Sequence, residues 1–420
     1  MPSVSNMAKD LVGSEIIRLA TQINEKIKNG QSIYNLTIGD FNPEIFPIPD
    51  RFKELIIEAY EKGYTNYPQA NGMEILREAI SQHLNINANL NYDLDEIMVS
   101  CGSRPLIYAI YRTILDPKDK VIYPVPSWNN NHYSHLNYAQ QLQVQTKAEN
   151  NFMPSVDELK EYIEDAAMIA LCSPLNPTGT VFSKTQLGGI CEMVLEENRK
   201  RSLTGKKPLY VLYDEIYWLL THGETEHFNP VTLYPEMKEY TILVDGMSKA
   251  FAATGVRLGW ATGPKYIINK MKAIISHVGA WSAKAEQMAA AQYLNEQTSV
   301  NEYLDDFKSE VYYRLDNFYK GFKSLKDKGF PVDAIKPQAA IYLTVYIDLI
   351  GKRTEKGETL KSIQEVYSYL LNEANTALVP FYCFGAGKDV PWFRLSVGTC
   401  KKEDISLILS NIENALSKVH

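Results

Sequence analysis

The chain has 420 residues, 45% of them hydrophobic and 22% charged, with 50 acidic and 43 basic side chains and a formal net charge of −7. That composition suits an ordinary globular protein with a large core, at a length that fits two or three domains. A mildly acidic balance lacks the electrostatic footprint of a nucleic-acid binder. No stretch approaches the roughly 20 apolar residues that span a bilayer, and Met1-Pro2-Ser3-Val4 does not begin a signal peptide, so no membrane association is expected. The five cysteines, at 101, 172, 191, 383 and 400, include no C-x-x-C pair, which argues against a disulfide scaffold or zinc site and for a reducing cytoplasm. His132 and His135 lie close but lack carboxylate or cysteine partners at ligand spacing. They read as loop or surface residues, and no metal site is expected. The basic run Arg199-Lys200-Arg201 with Lys206-Lys207 follows an acidic helical stretch and reads as a solvated helix end.

In chain order, residues 1–35 carry a helical pattern, with Ile16, Leu19, Ile23 and Ile27 recurring up to a stop at Asn29-Gly30. A short strand at Leu36-Thr37-Ile38-Gly39 and a Pro-rich turn through Asn42-Pro43 and Pro47-Ile48-Pro49 then form a hinge. From about 95 to 265, short apolar runs alternate with helical patterns. The runs are 96–100, 121–123, 168–171, 210–213, 241–244 and 258–261; helices are expected at Pro105–Leu115, Val156–Ala166 and Lys184–Arg199. Such alternation predicts an α/β fold whose mostly parallel sheet is covered by helices on both faces. Ligands of these sheets bind beyond the C-terminal strand ends. A long charged helix from about 300 leads to a smaller α+β part, with strands at Ala340–Asp348 and Trp392–Val397 and a closing helix at Glu403–Lys418. The expected division is an N-terminal segment, 1–48, joining the small domain; a large domain, 49–300; and a C-terminal small domain, 301–420.

Four polar clusters fall just after the apolar runs. Ser248-Lys249 precedes Arg257 by eight residues, counted from the lysine. A lysine amine can form a Schiff base with an aldehyde cofactor, and a nearby serine and arginine can hold its phosphate. Asp214 ends the run Tyr210-Val211-Leu212-Tyr213; held against a pyridine nitrogen it would keep that nitrogen protonated and make the ring an electron sink. Three residues further, Tyr217 could donate to a phenolic oxygen. Pro174-Leu175-Asn176-Pro177-Thr178-Gly179 is a rigid turn that offers the Asn176 amide. At Gly102-Ser103-Arg104 a helix starts, and its backbone N–H groups would face a phosphate. Singly, each has a blander reading: a solvated lysine, a capping aspartate, a buried tyrosine, a bare turn.

Together these residues resemble the class I and II aminotransferases of the fold type I pyridoxal-phosphate enzymes. The likeness runs from about residue 34 to 400, through Asn-Pro-Thr-Gly, Asp-x-x-Tyr and Ser-Lys-x-x-x-x-Thr-Gly-x-Arg-x-Gly in the family's order. It implies pyridoxal 5'-phosphate as cofactor and Lys249 as the lysine that binds its aldehyde and then shuttles a proton. The same resemblance makes Asp214 the partner of the ring nitrogen, and Asn176 and Tyr217 the contacts to the phenolic oxygen. Ser248, Arg257 and the turn Gly102-Ser103-Arg104 become phosphate ligands, and Trp128 the stacking ring. Arg394, in Trp392-Phe393-Arg394-Leu395-Ser396, matches the arginine that grips the substrate α-carboxylate, and Gly39 the glycine beside it. Tyr67 resembles the tyrosine that reaches the neighbouring subunit's phosphate, which implies a homodimer with shared active sites.

The implied reaction moves an amino group between an amino acid and a 2-oxo acid. Arg104 stands where some aspartate-using relatives carry a lysine for the distal carboxylate, which favours aspartate or glutamate in one half-reaction. Trp281 and the 27 tyrosines keep aromatic amino acids open, and β-elimination from sulfur amino acids would share the same residues. Three departures from the family's pattern bear on specificity: Asp245 before Gly-x-Ser-Lys, Ala339-Ala340 before Tyr342, and Ala280-Trp281-Ser282-Ala283-Lys284. A binding protein that kept this fold without catalysis would be expected to have lost the lysine, the aspartate or the carboxylate arginine. All three are present.

Overall fold

In a computed structural model, residues 4–11, 13 and 15–420 are described. The chain lays down Tyr34–Asn35 (β1), Ile97–Ser100 (β2), Lys120–Val125 (β3), Gln140–Gln145 (β4), Ala166–Cys172 (β5), Tyr210–Asp214 (β6), Thr241–Gly246 (β7) and Gly259–Thr262 (β8). There follow Val332–Ala334 (β9), Tyr342–Ile347 (β10), Thr376–Ala377 (β11), Val379–Pro380 (β12) and Trp392–Ser396 (β13). Seven strands form one sheet in the order β2-β8-β7-β6-β5-β3-β4. Only β8 runs against its neighbours, so β2, β3, β5, β6 and β7 all end at the same edge. β2 and β5 to β8 are buried along almost their whole length, as expected for strands covered on both faces.

A second, antiparallel sheet, β12-β13-β10-β9, is built from the C-terminal third. The N-terminal segment adds a separate two-stranded parallel pair, β1 with β11, so the smaller α+β part is assembled from both chain ends. The 31-residue helix Gln297–Asp327 buries Leu304, Phe307, Val311, Leu315, Phe318 and Phe322, and contacts both β9 and β10. Among the described residues no helix is long and apolar enough to cross a membrane.

Several local expectations are corrected. The N-terminal pattern splits into helices Asn6–Asp10 and Glu15–Lys28; positions 1–3, 12 and 14 of that reading lie outside the described residues. Leu36–Gly39 is no strand: Leu36 still bonds the backbone of Ala377 and Ser396, but from Thr37 on the carbonyls are taken by side chains rather than a ladder. Thr37 O accepts from Arg394, Ile38 O from Ser396, and Gly39 O from Lys249. The helix expected over Val156–Ala166 ends at Lys160, and Ala166 already begins β5. β4 went unread because its sequence, Gln-Gln-Leu-Gln-Val-Gln, is polar: it is the sheet's edge strand, and only Val144 is buried. His132 and His135 sit half-buried on the helix Asn130–Leu136, where His135 Nε2 lies 2.8 Å from Met7 O.

The basic run is solvated only in part. Arg201 is buried, 2.6 Å from Glu197, and donates to the carbonyls of Ile163, Glu164 and Lys207. The helix Lys184–Thr204 thus docks through an internal ion pair whose remaining N–H groups are satisfied by backbone.

Candidate active site

A cavity of about 650 Å³ opens where β2, β3, β5, β6 and β7 end and the antiparallel sheet closes over them. Its wall includes Gly39, Ser103, Arg104, Trp128, Asn176, Asp214, Tyr217, Ser248, Lys249, Arg257 and Arg394. Of the residues expected to catalyse or to hold the cofactor or the α-carboxylate, the structure therefore gathers all but Gly102 and Tyr67 on the cavity wall. Gly102 caps the helix Ser103–Ile114 directly beside it, at φ +92°. Tyr67 is 83% exposed and lies elsewhere, edge-on to Trp281 with ring centroids 5.4 Å apart. Trp281 itself does not line the cavity.

Lys249 is carried on a single helical turn, Met247–Ala250, that directly follows β7. Its Nζ donates to Gly39 O at 2.6 Å and lies 5.8 Å from the centre of the Tyr217 ring. Desolvation lowers the amine's pKa to about 8; Asp40 opposes that shift, and Arg394, Arg104 and Arg257 reinforce it. Asp214 ends β6, where its Oδ1 accepts from Ile216 N at 3.1 Å. Desolvation raises this carboxyl to about 6, against the backbone hydrogen bond and the Lys249 charge. A carboxylate and an amine therefore face one cavity, each moved towards neutrality by burial.

Arg394 lies mid-strand in β13, paired with Thr344 of β10, and is 1% exposed. Its Nη1 donates to Asn176 Oδ1 at 2.9 Å and its Nη2 to Thr37 O at 2.6 Å, while Nε has no partner among the described residues. The guanidinium rests between the rings of Tyr342 and Phe384, 4.6 and 4.9 Å from their centres. A buried cation held by neutral acceptors alone calls for an anion. Asn176 reaches it because the turn after β5 is fixed on both sides: Gly179 N bonds Leu175 O, and Thr344 Oγ1 bonds Thr178 O, both at 2.8 Å. Tyr217 and Tyr342 share a 2.6 Å hydroxyl contact.

The other end of the cavity is cationic. Arg257 donates to Thr254 O at 2.7 Å and Cys101 O at 3.1 Å. Gly102, at φ +92°, holds a backbone conformation that favours glycine, and it leaves room for that guanidinium to lie against the helix start. Arg104 lies 5.4 Å from the centre of the Trp128 ring, with its side chain exposed. Asp40, Tyr133, Thr254 and Tyr342 also line the cavity and are not among the site residues expected from the motifs. Asp40 follows Gly39 and Thr254 lies inside the Ser-Lys-x-x-x-x-Thr-Gly run, so adjacency was the available signal.

A family model described as aminotransferase class I and II matches residues 31–412. The chain belongs to this family of fold type I pyridoxal-phosphate-dependent transferases. It is 30% identical to an aspartate aminotransferase of Bacillus sp. (strain YM-2), over 99% of this chain and 98% of that one. A probable aspartate/prephenate aminotransferase of Rickettsia prowazekii (strain Madrid E) is 31% identical over 96% of each. The crystal structure of the aspartate aminotransferase from Rhizobium meliloti superposes with a TM-score of 0.91 at 25% identity, covering 100% of both chains. The fold and the enzyme class expected from the motifs are thus found.

Proposed function

We propose that this aminotransferase holds pyridoxal 5'-phosphate in the cavity and takes a dicarboxylate, aspartate or glutamate, as the amino acid of one half-reaction. The observation that carries the reading is the convergence of Lys249, Asp214 and Arg394 on one 650 Å³ space.

The donor set fits that cofactor. The cradle of Gly102, Ser103, Ser248 and Arg257 combines a helix start, hydroxyls and a guanidinium, the chemistry that binds a phosphate. Asp214 is an acceptor for a protonated ring nitrogen, Asn176 and Tyr217 can meet the ring's phenolic oxygen, and Trp128 offers a stacking face. When bound, the pyridinium ring supplies a sink for the electrons left at the substrate's α-carbon. The protein does the rest. Lys249, with a pKa of about 8, has a neutral fraction near neutral pH, so it can attack an aldehyde and take or return the proton at the α-carbon. Arg394 grips the α-carboxylate and Gly39 lets it approach, which fixes the α-carbon's orientation. Arg104, on the cavity wall, can take the distal carboxylate, and the names of the relatives favour the same substrates.

The division into 1–48, 49–300 and 301–420 goes with this reading, since the site lies between the two sheets. So does a homodimer: exposed Tyr67 can serve a phosphate site only in a second copy. A cytoplasmic setting is supported by five free cysteines. The test is a screen of amino donors against 2-oxoglutarate, following the absorption band of the bound cofactor. Aspartate or glutamate should bleach the band, and the oxo acid should restore it. Pyruvate and ammonia released without any oxo-acid acceptor would instead mark an eliminating enzyme.

A further inference from the structure

The segment that holds the Arg394 guanidinium and the loop that carries the phosphate-end arginine come from opposite parts of the chain, yet one side-chain hydrogen bond joins them. Thr254 Oγ1 donates to Asp40 Oδ1 at 2.6 Å. Both residues line the cavity; Thr254 has no role in the chemistry described above, and Asp40 enters it only through its charge near Lys249.

On one side, Asp40 is held from behind. Its backbone lies flat on Gly398, two residues beyond β13, where any Cβ would collide with Asp40 O; Asn42 N also donates to Gly398 O at 2.9 Å. The Asp40 carboxylate is further aimed by Phe41 N, 2.8 Å from the same Oδ1. Asp40 thus moves with the strand of Arg394 and with the carbonyls of Thr37 and Gly39. On the other side, Thr254 O accepts from Arg257 Nη1 at 2.7 Å, and Arg257 reaches across to Cys101 O beside the helix start at Ser103. A continuous run therefore leads from Arg394's strand through Asp40 and Thr254 to Arg257.

We propose that the Asp40–Thr254 hydrogen bond ties the carboxylate end of the site to its phosphate end, so that Asp40 and Thr254 are positioning residues for amino-group transfer. The proposal rests on the function proposed above for its catalytic consequence, but not for its structural one. A charge-assisted bond at the cavity lip fixes segment 36–41 against the loop 252–257. Without it the carbonyls of Thr37 and Gly39 still accept from Arg394 and Lys249, but their segment loses its register with the cofactor-holding loop. The cost should therefore fall on substrate capture more than on chemistry.

The test compares Thr254→Val, Thr254→Ser, Asp40→Ala and the Asp40→Ala/Thr254→Val double variant in the holoenzyme. Two readouts are taken: amide hydrogen exchange of residues 36–41, and KM and kcat for the amino donor. Thr254→Val should speed exchange in 36–41 and raise KM about fivefold, the scale of one exposed charge-assisted hydrogen bond, with kcat far less affected. Thr254→Ser should restore both, and the double variant should be no worse than Asp40→Ala alone, which also removes the charge near Lys249. Wild-type exchange and KM in Thr254→Val, or additive losses in the double variant, would overturn the tie. If wild type transfers no amino group yet Thr254→Val still loosens 36–41, the functional reading fails and the tie stands; if exchange is also unchanged, both fail.

Discussion

The guanidinium of Arg394 donates from Nη1 to the side-chain oxygen of Asn176 at 2.9 Å, across 218 residues of sequence. The bond joins the antiparallel sheet to the turn after β5, and it sets a residue expected at the substrate's carboxylate against one expected at the cofactor's ring. Arg394→Lys keeps the charge but loses the planar fork, so it can satisfy Asn176 or Thr37 O but not both along with a carboxylate. Steady-state kinetics should show kcat/KM for the amino acid reduced about a hundredfold, the loss expected for a bidentate contact. An unchanged value would place the α-carboxylate elsewhere.

Arg104 tests the substrate side of the account. Its exposed guanidinium beside Trp128 is free to meet an acidic side chain entering the cavity. Arg104→Ala should lower kcat/KM for aspartate at least about tenfold and leave phenylalanine nearly untouched, since one charge-assisted contact is removed. Equal losses with both substrates would assign Arg104 to the cofactor alone.

The pH dependence follows from Lys249. Only the neutral amine attacks an aldehyde, and burial brings the pKa of this amine down to about 8. Below that pH the protonated form dominates and reconstitution is slow; above it the neutral form dominates and the rate levels off. Stopped-flow mixing of apoenzyme with pyridoxal phosphate should therefore give a rate that rises with pH through a midpoint near 8. A midpoint near the ordinary lysine value would mean that the amine is solvated in solution.

A stability prediction lies far from the site. Arg201 and Glu197 are buried together at 2.6 Å, and three backbone carbonyls complete the arginine's coordination. Arg201→Ala leaves Glu197 buried without its cation, at a cost of about 3–5 kcal/mol in urea unfolding. A cost below about 1 kcal/mol, the level of a surface pair, would show that the helix is not anchored through this residue.

What could be read beforehand followed the range of the signals. Strands β2, β3, β5, β6, β7 and β8 are short apolar runs because the sheet is covered on both faces, so their positions were legible. Lys249, Asp214 and Asn176 each lie in, or directly after, such a run, and their local motifs placed them. β4 was missed because an edge strand of glutamines carries no burial pattern, and Leu36–Gly39 was taken for a strand although the carbonyls of Thr37 and Gly39 serve side chains remote in sequence. The same holds for Asp40, whose partner Thr254 is 214 residues away. Arg201 looked solvated by composition, and only the packing of its helix against 163–164 reveals an internal pair.

The central claim is that Lys249 is the residue that bonds the cofactor. Purified protein incubated with pyridoxal phosphate, reduced with borohydride and digested should yield one phosphopyridoxyl-modified peptide, carrying the label at Lys249. A label on any other lysine, or no label on protein that is otherwise folded, would contradict the account.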